Sequence, residues 1–72
     1  MTTTVFPVEG MTCNHCVMHV RKALESVPGV KAVEVSLENN NATVTYDENE
    51  FQFEAAQSAV AEAGYKLLPP AA

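Results

Sequence analysis

The chain has 72 residues, of which 47% are hydrophobic and 18% are charged, and nine acidic against four basic residues give a formal net charge of −5. This composition is enough for one small packed domain and excludes an intrinsically disordered chain. An acidic chain without a cluster of Lys and Arg is not expected to bind nucleic acid. Its start lacks a signal-peptide pattern, and no apolar run approaches the roughly 20 residues of a membrane helix, so we expect a cytoplasmic protein without direct membrane insertion.

The first predicted elements are a strand and an amphipathic helix. Apolar residues alternate in TVFPVEG, which is the period of a half-buried strand, although Pro7 lacks an N–H group and is unusual inside a sheet. From Cys16 to Val27 the apolar residues recur every three or four positions, which predicts a helix. That helix is expected to stop at Pro28-Gly29, because proline bars its continuation.

The second half of the chain predicts a hairpin, a helix and a short last strand. The alternating runs VKAVEVSLE and NATVTYD are joined by a polar, asparagine-rich turn. FEAAQSAVAEA then has helical spacing, with Gly64 just past its end, and YKLL precedes a proline-rich tail. Two such interlocking βαβ units predict an α+β, ferredoxin-like βαββαβ fold, a four-stranded antiparallel sheet with both helices on one face. We expect residues 1–72 to form a single domain with its core at about residues 3–68.

Both cysteines of the chain lie in one short stretch, GMTCNHC, at residues 10–16. The predicted elements place Cys13 on the loop after the first strand and Cys16 at the start of the first helix. A helix N-terminus offers unpaired N–H groups and a partial positive charge, which favours thiolate over thiol at Cys16. In a reducing compartment, this spacing is more typical of a metal or redox site than of a structural disulfide.

The number and type of ligands indicate which metal would bind. Two sulfurs are too few for a closed tetrahedral zinc site, and hard cations such as Mg²⁺ and Ca²⁺ prefer oxygen. A soft ion that accepts two sulfurs in a nearly linear arrangement fits best, so the pattern favours Cu(I), with Hg(II) or Ag(I) as substitutes. Open coordination positions would let a partner's thiol attack the metal, which allows transfer by ligand exchange.

The stretch GMTCNHC, followed by the valine of CVMHV, resembles the GMxCxxC signature of heavy-metal-associated domains, and the resemblance extends through GYKL. The CxHC form, the hairpin and the Ala-Gly-Tyr after the second helix are similar to bacterial cytosolic copper chaperones of the CopZ type. The resemblance implies a ferredoxin-like fold, Cu(I) binding by Cys13 and Cys16, and delivery to the metal-binding domain of a copper-transporting P-type ATPase. It also implies that Met11 and Thr12 support the loop and that Tyr65 acts beside the sulfurs.

For the residues around the motif, other interpretations stay open. Met11 has a thioether that suits Cu(I), but a methionine next to a strand end is more often a core residue. His15 is expected to tune the thiols rather than to ligate directly, with metal binding in a dimer or simple exposure as alternatives. His19 would share a face with His15 only if the helix began earlier, and we expect it to point to water. Tyr65 is otherwise an ordinary strand tyrosine.

The leading hypothesis is a Cu(I) metallochaperone that is not an enzyme, because no catalytic dyad or triad can be assembled around the thiols. Arg21 and Lys22, the only basic pair near the motif, are candidates for docking to an acidic patch on the acceptor. We expect a monomer without metal and a copper-bridged dimer as a possible loaded form. The alternatives are an excised N-terminal domain of a heavy-metal-transporting P-type ATPase, a mercury-binding or mercury-transfer domain, and, least favoured, a dithiol oxidoreductase.

Overall fold

The computed structural model describes residues 1–70, and the last two residues of the predicted domain, Ala71 and Ala72, lie outside the described part. In chain order the elements are β1 (Thr2–Glu9), α1 (Asn14–Glu25), β2 (Val30–Ser36), β3 (Asn41–Tyr46), α2 (Phe53–Glu62) and β4 (Lys66–Leu67). The strands form one antiparallel sheet in the order β2-β3-β1-β4. The predicted α+β, ferredoxin-like fold is therefore confirmed.

The hydrophobic core lies between the two helices and the inner face of the sheet. Strand register places Phe6 opposite Ala42 and Val33 opposite Val44, so the predicted alternation brings the apolar residues of three strands onto one face. Each helix and strand contributes at least one buried side chain to this core: Phe6, Val8, Cys16, Val20, Leu24, Val33, Ala42, Val44, Ala56, Val60 and Leu67, together with Met11 and Val27 from the connecting segments. The core therefore includes one of the two motif cysteines.

Pro7 lies in β1 where the pairing with β4 ends, since β4 pairs only with Val8 and Glu9. The Val8 N–H group points toward β3 and donates to the Asn40 carbonyl at 2.8 Å, so the backbone of Pro7 faces the β4 side. There the Pro7 carbonyl accepts a hydrogen bond of 2.9 Å from the Leu68 N–H group. The missing N–H group of Pro7 faces past the end of a very short strand, which explains why proline is tolerated here.

An aromatic cluster covers the part of the core farther from the cysteine loop, which is residues 10–13 between β1 and α1. The cluster consists of Phe6, Tyr46, Phe51 and Phe53. The rings of Tyr46 and Phe51 stack at 4.1 Å between centroids, and those of Phe6 and Phe53 at 5.6 Å. Tyr46 lies opposite Thr2, whereas the cysteine loop follows the other end of β1. The scaffold thus places four of its five Phe and Tyr side chains in this cluster, away from the motif.

The element boundaries differ from the predicted ones by one or two residues. The first helix ends at Glu25 rather than Val27, and Ser26 closes it with a 2.7 Å hydrogen bond from its hydroxyl to the Ala23 carbonyl. In the hairpin turn Asn40 adopts a φ of 52°, which is the left-handed conformation that asparagine tolerates. Within residues 1–70, neither helix is long and apolar enough to cross a membrane.

Candidate metal centre

The cysteine loop, residues 10–13, connects β1 to α1, and its first two residues fix its path. Gly10 has a φ of +97°, a conformation that is costly for a residue with a side chain. Met11 is only 6% exposed and packs in the hydrophobic core, where it anchors the loop between two exposed neighbours. Burial of the Met11 side chain agrees with the predicted core position rather than with a third sulfur ligand.

The first helix begins at Asn14, so the prediction that it starts at Cys16 is wrong by two residues. Cys13 has an extended backbone and occupies the N-cap position, and its carbonyl accepts hydrogen bonds from the N–H groups of Cys16 at 3.1 Å and Val17 at 3.3 Å. The apolar periodicity could not reveal this first turn, because its residues, Asn14 and His15, are polar and exposed. Both thiols therefore belong to the helix N-terminus.

The two sulfurs lie close together but differ in exposure. The Sγ atoms of Cys13 and Cys16 are 3.2 Å apart, and both cysteines are free. Cys13 is exposed, whereas Cys16 is 9% exposed and belongs to the core. One ion can contact both sulfurs, and an incoming ligand would reach it from the Cys13 side.

The surroundings of Cys16 stabilise its thiolate. A hydrogen bond from the Thr12 backbone, aided by the hydroxyl of Tyr65 and the thiol of Cys13, lowers the pKa of Cys16 to about 6, although partial burial opposes the shift. The Thr12 hydroxyl also lies 3.8 Å from the Cys16 sulfur. No acidic residue occupies the first turn of α1, so the helix N-terminus stays free to favour the anion.

Tyr65 lies in the segment between α2 and β4, and not within a strand as its alternative interpretation required. Interaction of its hydroxyl with Cys16 raises the pKa of Tyr65 above its ordinary value. A Cβ atom added to Gly10 would come within 3.4 Å of the Tyr65 ring, so the loop passes directly beside this ring. The structure thus brings together Cys13, Cys16, Thr12 and Tyr65.

Three further predicted residues lie on α1 without joining the centre. His15 is exposed in the first turn of α1, one residue before Cys16. Arg21 and Lys22 are exposed nearer the other end of the helix, and Arg21 Nε lies 3.4 Å from an oxygen of Glu25. That ion pair is solvent-exposed and adds little to stability. The basic pair shares a helix with the sulfurs but not their immediate surroundings.

One contact was not predicted from the sequence. His19 is exposed, as expected, yet its ring packs edge-on against the Tyr65 ring with 6.5 Å between centroids. It does not point only to water. The spacing of three residues between Cys16 and His19 already places them on one face of the predicted helix. The position of Tyr65 beside that face had no signal in the sequence.

Comparison with known proteins places this geometry in a family. Residues 5–66 match the model of the heavy-metal-associated domain. A copper chaperone CopZ from Staphylococcus haemolyticus is 42% identical over 67 residues, which cover 93% of this chain and 98% of the relative. The match therefore extends from the first strand to the last and includes the region of the two thiols.

Solved structures give the same result for the fold. A CopZ metallochaperone has a TM-score of 0.86 at 33% identity, with 93% of this chain and all of that chain covered. A copper-binding domain from a P-type ATPase also has a TM-score of 0.86 at 33% identity, with 97% of each chain covered. Stand-alone chaperones and transporter domains thus share this backbone.

Proposed function

The chain belongs to the heavy-metal-associated domain family, and from this premise we propose that it is a Cu(I) metallochaperone. The observation that carries the proposal is the pair of free sulfurs, Cys13 Sγ and Cys16 Sγ, 3.2 Å apart at the N-terminus of α1. Because the pKa of Cys16 is lowered to about 6, this thiol is already deprotonated at neutral pH and ready to bind a metal ion. Copper is the cargo of the protein, and the protein is not an enzyme in this proposal.

The ligand set supports a soft ion with a low coordination number. Within residues 1–70, no group of three or more His, Cys, Asp or Glu side chains is placed to hold a metal ion together. A structural zinc site needs four such ligands, whereas Cu(I) is satisfied by two thiolates. Burial of the Met11 side chain keeps its thioether in the core and leaves Cys13 and Cys16 as the proposed ligands.

The difference in exposure between the two sulfurs supports transfer by ligand exchange. An acceptor thiolate would form a bond to Cu(I) from the exposed side, and the bond from Cys13 to the metal would then break. Cu(I) keeps its oxidation state throughout, and Cys13 leaves as a thiolate. Cys16 would release the ion last, because it is buried and the acceptor thiolate reaches the metal first from the side of the exposed Cys13.

The proposed acceptor is the metal-binding domain of a copper-transporting P-type ATPase. The solved copper-binding domain of a P-type ATPase has the same fold as this chain, so donor and acceptor would meet as similar domains. Arg21 and Lys22 are exposed on the helix that carries the sulfurs and would contact acidic residues of the acceptor. This proposal places residues 1–72 in the cytoplasm as a single domain, with its core at about residues 3–68.

Two alternatives keep the same site and change its role. The first alternative is the N-terminal domain of a heavy-metal-transporting P-type ATPase, which the similarity to a P-type ATPase domain supports. A mercury-transfer domain would use the same two thiolates, since Hg(II) also binds them linearly. The metal preference and the full reading frame of the gene separate these alternatives from the chaperone.

Metal affinity tests the proposal directly. We expect the reduced protein, titrated anaerobically against a competing chelator, to bind Cu(I) much more tightly than Zn(II), and the Cys13→Ser/Cys16→Ser protein to lose this binding. Met11→Leu is the matched control, because it removes the thioether sulfur of the cysteine loop and keeps an apolar side chain of similar volume. Cu(I) binding that persists in the double variant would refute the site, and a preference for Hg(II) by a wide margin would favour mercury transfer.

Docking is tested by the rate of transfer to a purified ATPase metal-binding domain. We expect Arg21→Ala and Lys22→Ala to slow transfer several-fold at low salt with unchanged Cu(I) affinity, because steering by charge acts on encounter. Lys31→Ala, which removes an exposed charge at the start of β2, serves as the control. Equal rates for all three variants would exclude this face as the docking surface.

The oligomeric state is tested by sedimentation of the protein with increasing Cu(I). We expect a monomer without metal, and a dimer in which thiolates of two copies share copper once the ratio of metal to protein is high. The exposed position of Cys13 makes such bridging accessible. A constant mass at every ratio would rule out the bridged dimer and leave the monomeric chaperone unchanged.

A further inference from the structure

The ring of Tyr65 has two close neighbours outside its own segment, and they come from different parts of the chain. The backbone of Gly10 passes so closely that an added Cβ atom would come within 3.4 Å of Tyr65 Cδ1. The ring of His19 in α1 meets it edge-on, with centroids 6.5 Å apart and an interplanar angle of 63°. Edge-to-face contacts of this kind favour one relative orientation of the two rings.

The backbone of Tyr65 is held separately from its ring. Its N–H group donates to the Val60 carbonyl at 3.1 Å, which ties the residue to the end of α2. This bond fixes where the side chain starts and leaves its rotation open. The direction of the phenol is therefore set by what touches the ring, which includes the hydrophobic core, Gly10 and His19.

The position of His19 in the helix makes it suitable for orienting the Tyr65 ring. It lies three residues after Cys16, so both side chains project from the same side of α1, with Tyr65 beside them. His19 is exposed and does not belong to the hydrophobic core, so burial of apolar surface does not account for its contact with Tyr65. The other exposed imidazole of the helix, His15, has no aromatic neighbour among the described residues.

We propose that His19 is a positioning residue of the metal centre, whose ring holds the Tyr65 phenol beside the Cys16 sulfur and so slows the release of Cu(I). The inference rests on the proposed function for its consequence, copper release, but its structural part concerns the protein without metal. His19 does not bind the ion in this proposal. It acts only through Tyr65, and this indirect route makes the proposal testable.

Three variants separate the possible roles of His19. His19→Ala removes the ring, His19→Phe keeps a ring without nitrogen atoms, and His15→Ala removes the other exposed imidazole of the same helix. Each is made in the wild-type protein and in Tyr65→Phe, which keeps the Tyr65 ring and removes its hydroxyl. All three positions are exposed or partly buried, so we expect the variants to fold.

The first measurement is made on the reduced protein without metal. We expect nuclear Overhauser contacts between the Tyr65 ring protons and the Cys16 β-protons in the wild type, His15→Ala and His19→Phe, and their weakening in His19→Ala. A merely structural role would not change this signature selectively. Contacts of equal intensity in His19→Ala and the wild type would overturn the proposal whatever the protein binds.

The second measurement is the rate at which the chelator bathocuproine disulfonate takes Cu(I) from the loaded protein. We expect His19→Ala to accelerate this loss about threefold, the size that an aromatic contact supports, with rescue in His19→Phe and no change in His15→Ala. In the Tyr65→Phe background His19→Ala should add nothing. An equal acceleration in both backgrounds would show that His19 acts without Tyr65 and would overturn the proposal.

The two measurements keep the two proposals distinguishable. If the wild type failed to bind Cu(I), the chaperone proposal would fail, and the Overhauser contacts would still decide whether His19 positions Tyr65. If the wild type bound Cu(I) and the His19→Ala protein released it at the wild-type rate, the chaperone proposal would stand and the role of His19 would be refuted.

Discussion

The two helices of the domain begin in similar ways and differ in charge. Neither N-cap residue, Cys13 in α1 or Gln52 in α2, makes a side-chain capping hydrogen bond. The first turn of α2 contains Glu54, whose carboxylate complements the positive end of the helix. The first turn of α1 contains no acidic residue, and Cys16 occupies it instead.

This difference shows where the fold gives up a stabilising device for the sake of chemistry. A carboxylate in the first turn of α1 would compete with the thiolate for the same N–H groups and the same positive field. At α2 no such competition exists, and the carboxylate is kept. The N-terminus of α1 is therefore available to the two thiols, while α2 serves the scaffold alone.

The largest expected effect is on the stability of the scaffold, and it comes from a substitution away from the metal centre. Phe6→Ala removes a ring that is 2% exposed and contacts the other three members of the aromatic cluster, so we expect a loss of about 3–5 kcal/mol in the free energy of unfolding. Val5→Ala, on the opposite face of the same strand and 47% exposed, should change it by less than about 0.5 kcal/mol. Urea unfolding of the metal-free proteins measures both.

At temperatures where the Phe6→Ala protein stays folded, we expect its Cu(I) affinity to equal that of the wild type. The aromatic cluster covers the far part of the core, whereas the sulfurs lie at the N-terminus of α1 and the buried Met11 anchors the cysteine loop. A variant that is folded by circular dichroism but binds Cu(I) tenfold more weakly would show that the aromatic cluster and the metal centre are coupled. That result would contradict their independence.

The pH dependence of stability should reveal the thiolate at α1. The pKa of Cys16 is lowered to about 6 in the folded protein, against about 8.5 for an unfolded cysteine. Between these values the unfolded chain binds more protons, so this group makes the metal-free protein more stable as the pH rises. The contribution is complete above about pH 8.5 and is lost as the pH falls through about 6.

The measurement is the thermal midpoint of the reduced, metal-free protein across pH 5.5–9, compared with Cys16→Ser. Other groups titrate in both proteins, so the difference between the two curves isolates Cys16. We expect that difference in thermal midpoint to grow as the pH rises from about 6 to about 8.5. Parallel curves would mean that Cys16 is not a thiolate in the folded state and that the N-terminus of α1 does not act as described.

Tyr65→Phe tests the role of the hydroxyl next to the Cys16 sulfur, and its expected effect is smaller. Removing this donor should raise the pKa of the Cys16 thiol and slow its alkylation by iodoacetamide at pH 6 about two- to threefold. Tyr46→Phe is the matched control, because its hydroxyl bonds to Thr4 Oγ1 at 2.9 Å in the aromatic region. Equal slowing in both variants would indicate a general effect of losing a phenol rather than a local one.

These contrasts also explain which parts of the molecule could be predicted from the sequence. The order of elements followed from local periodicity, and the closeness of Cys13 to Cys16 followed from a spacing of three residues. The tolerance of Pro7 could not be predicted, because it depends on how short the pairing of β4 with β1 is. The contact of His19 with Tyr65 could not be predicted either, because it joins residues far apart in the chain.

The smallest expected effect exchanges the charges of the two helix ends. His15→Glu places a carboxylate in the first turn of α1. At pH 5.5, where Cys16 is mostly protonated and does not repel the carboxylate, we expect it to stabilise the metal-free fold by about 0.5 kcal/mol through the helix dipole. The same carboxylate repels the Cys16 thiolate, so its alkylation at pH 6 should slow and Cu(I) affinity should fall. The variant should therefore gain stability and lose function together.

Glu54→Gln is the reciprocal change at α2, and it should lower stability by about 0.5 kcal/mol without any change in Cys16 alkylation or Cu(I) affinity. The opposite signs at the two ends are the critical result, since a general electrostatic effect of one charge would act on the sulfurs in both variants. If His15→Glu left the reactivity of Cys16 unchanged, the absence of acidic residues from the first turn of α1 would have no chemical consequence. In that case hydrogen bonds from Thr12, Tyr65 and Cys13 would account for the low pKa of Cys16 without the helix N-terminus.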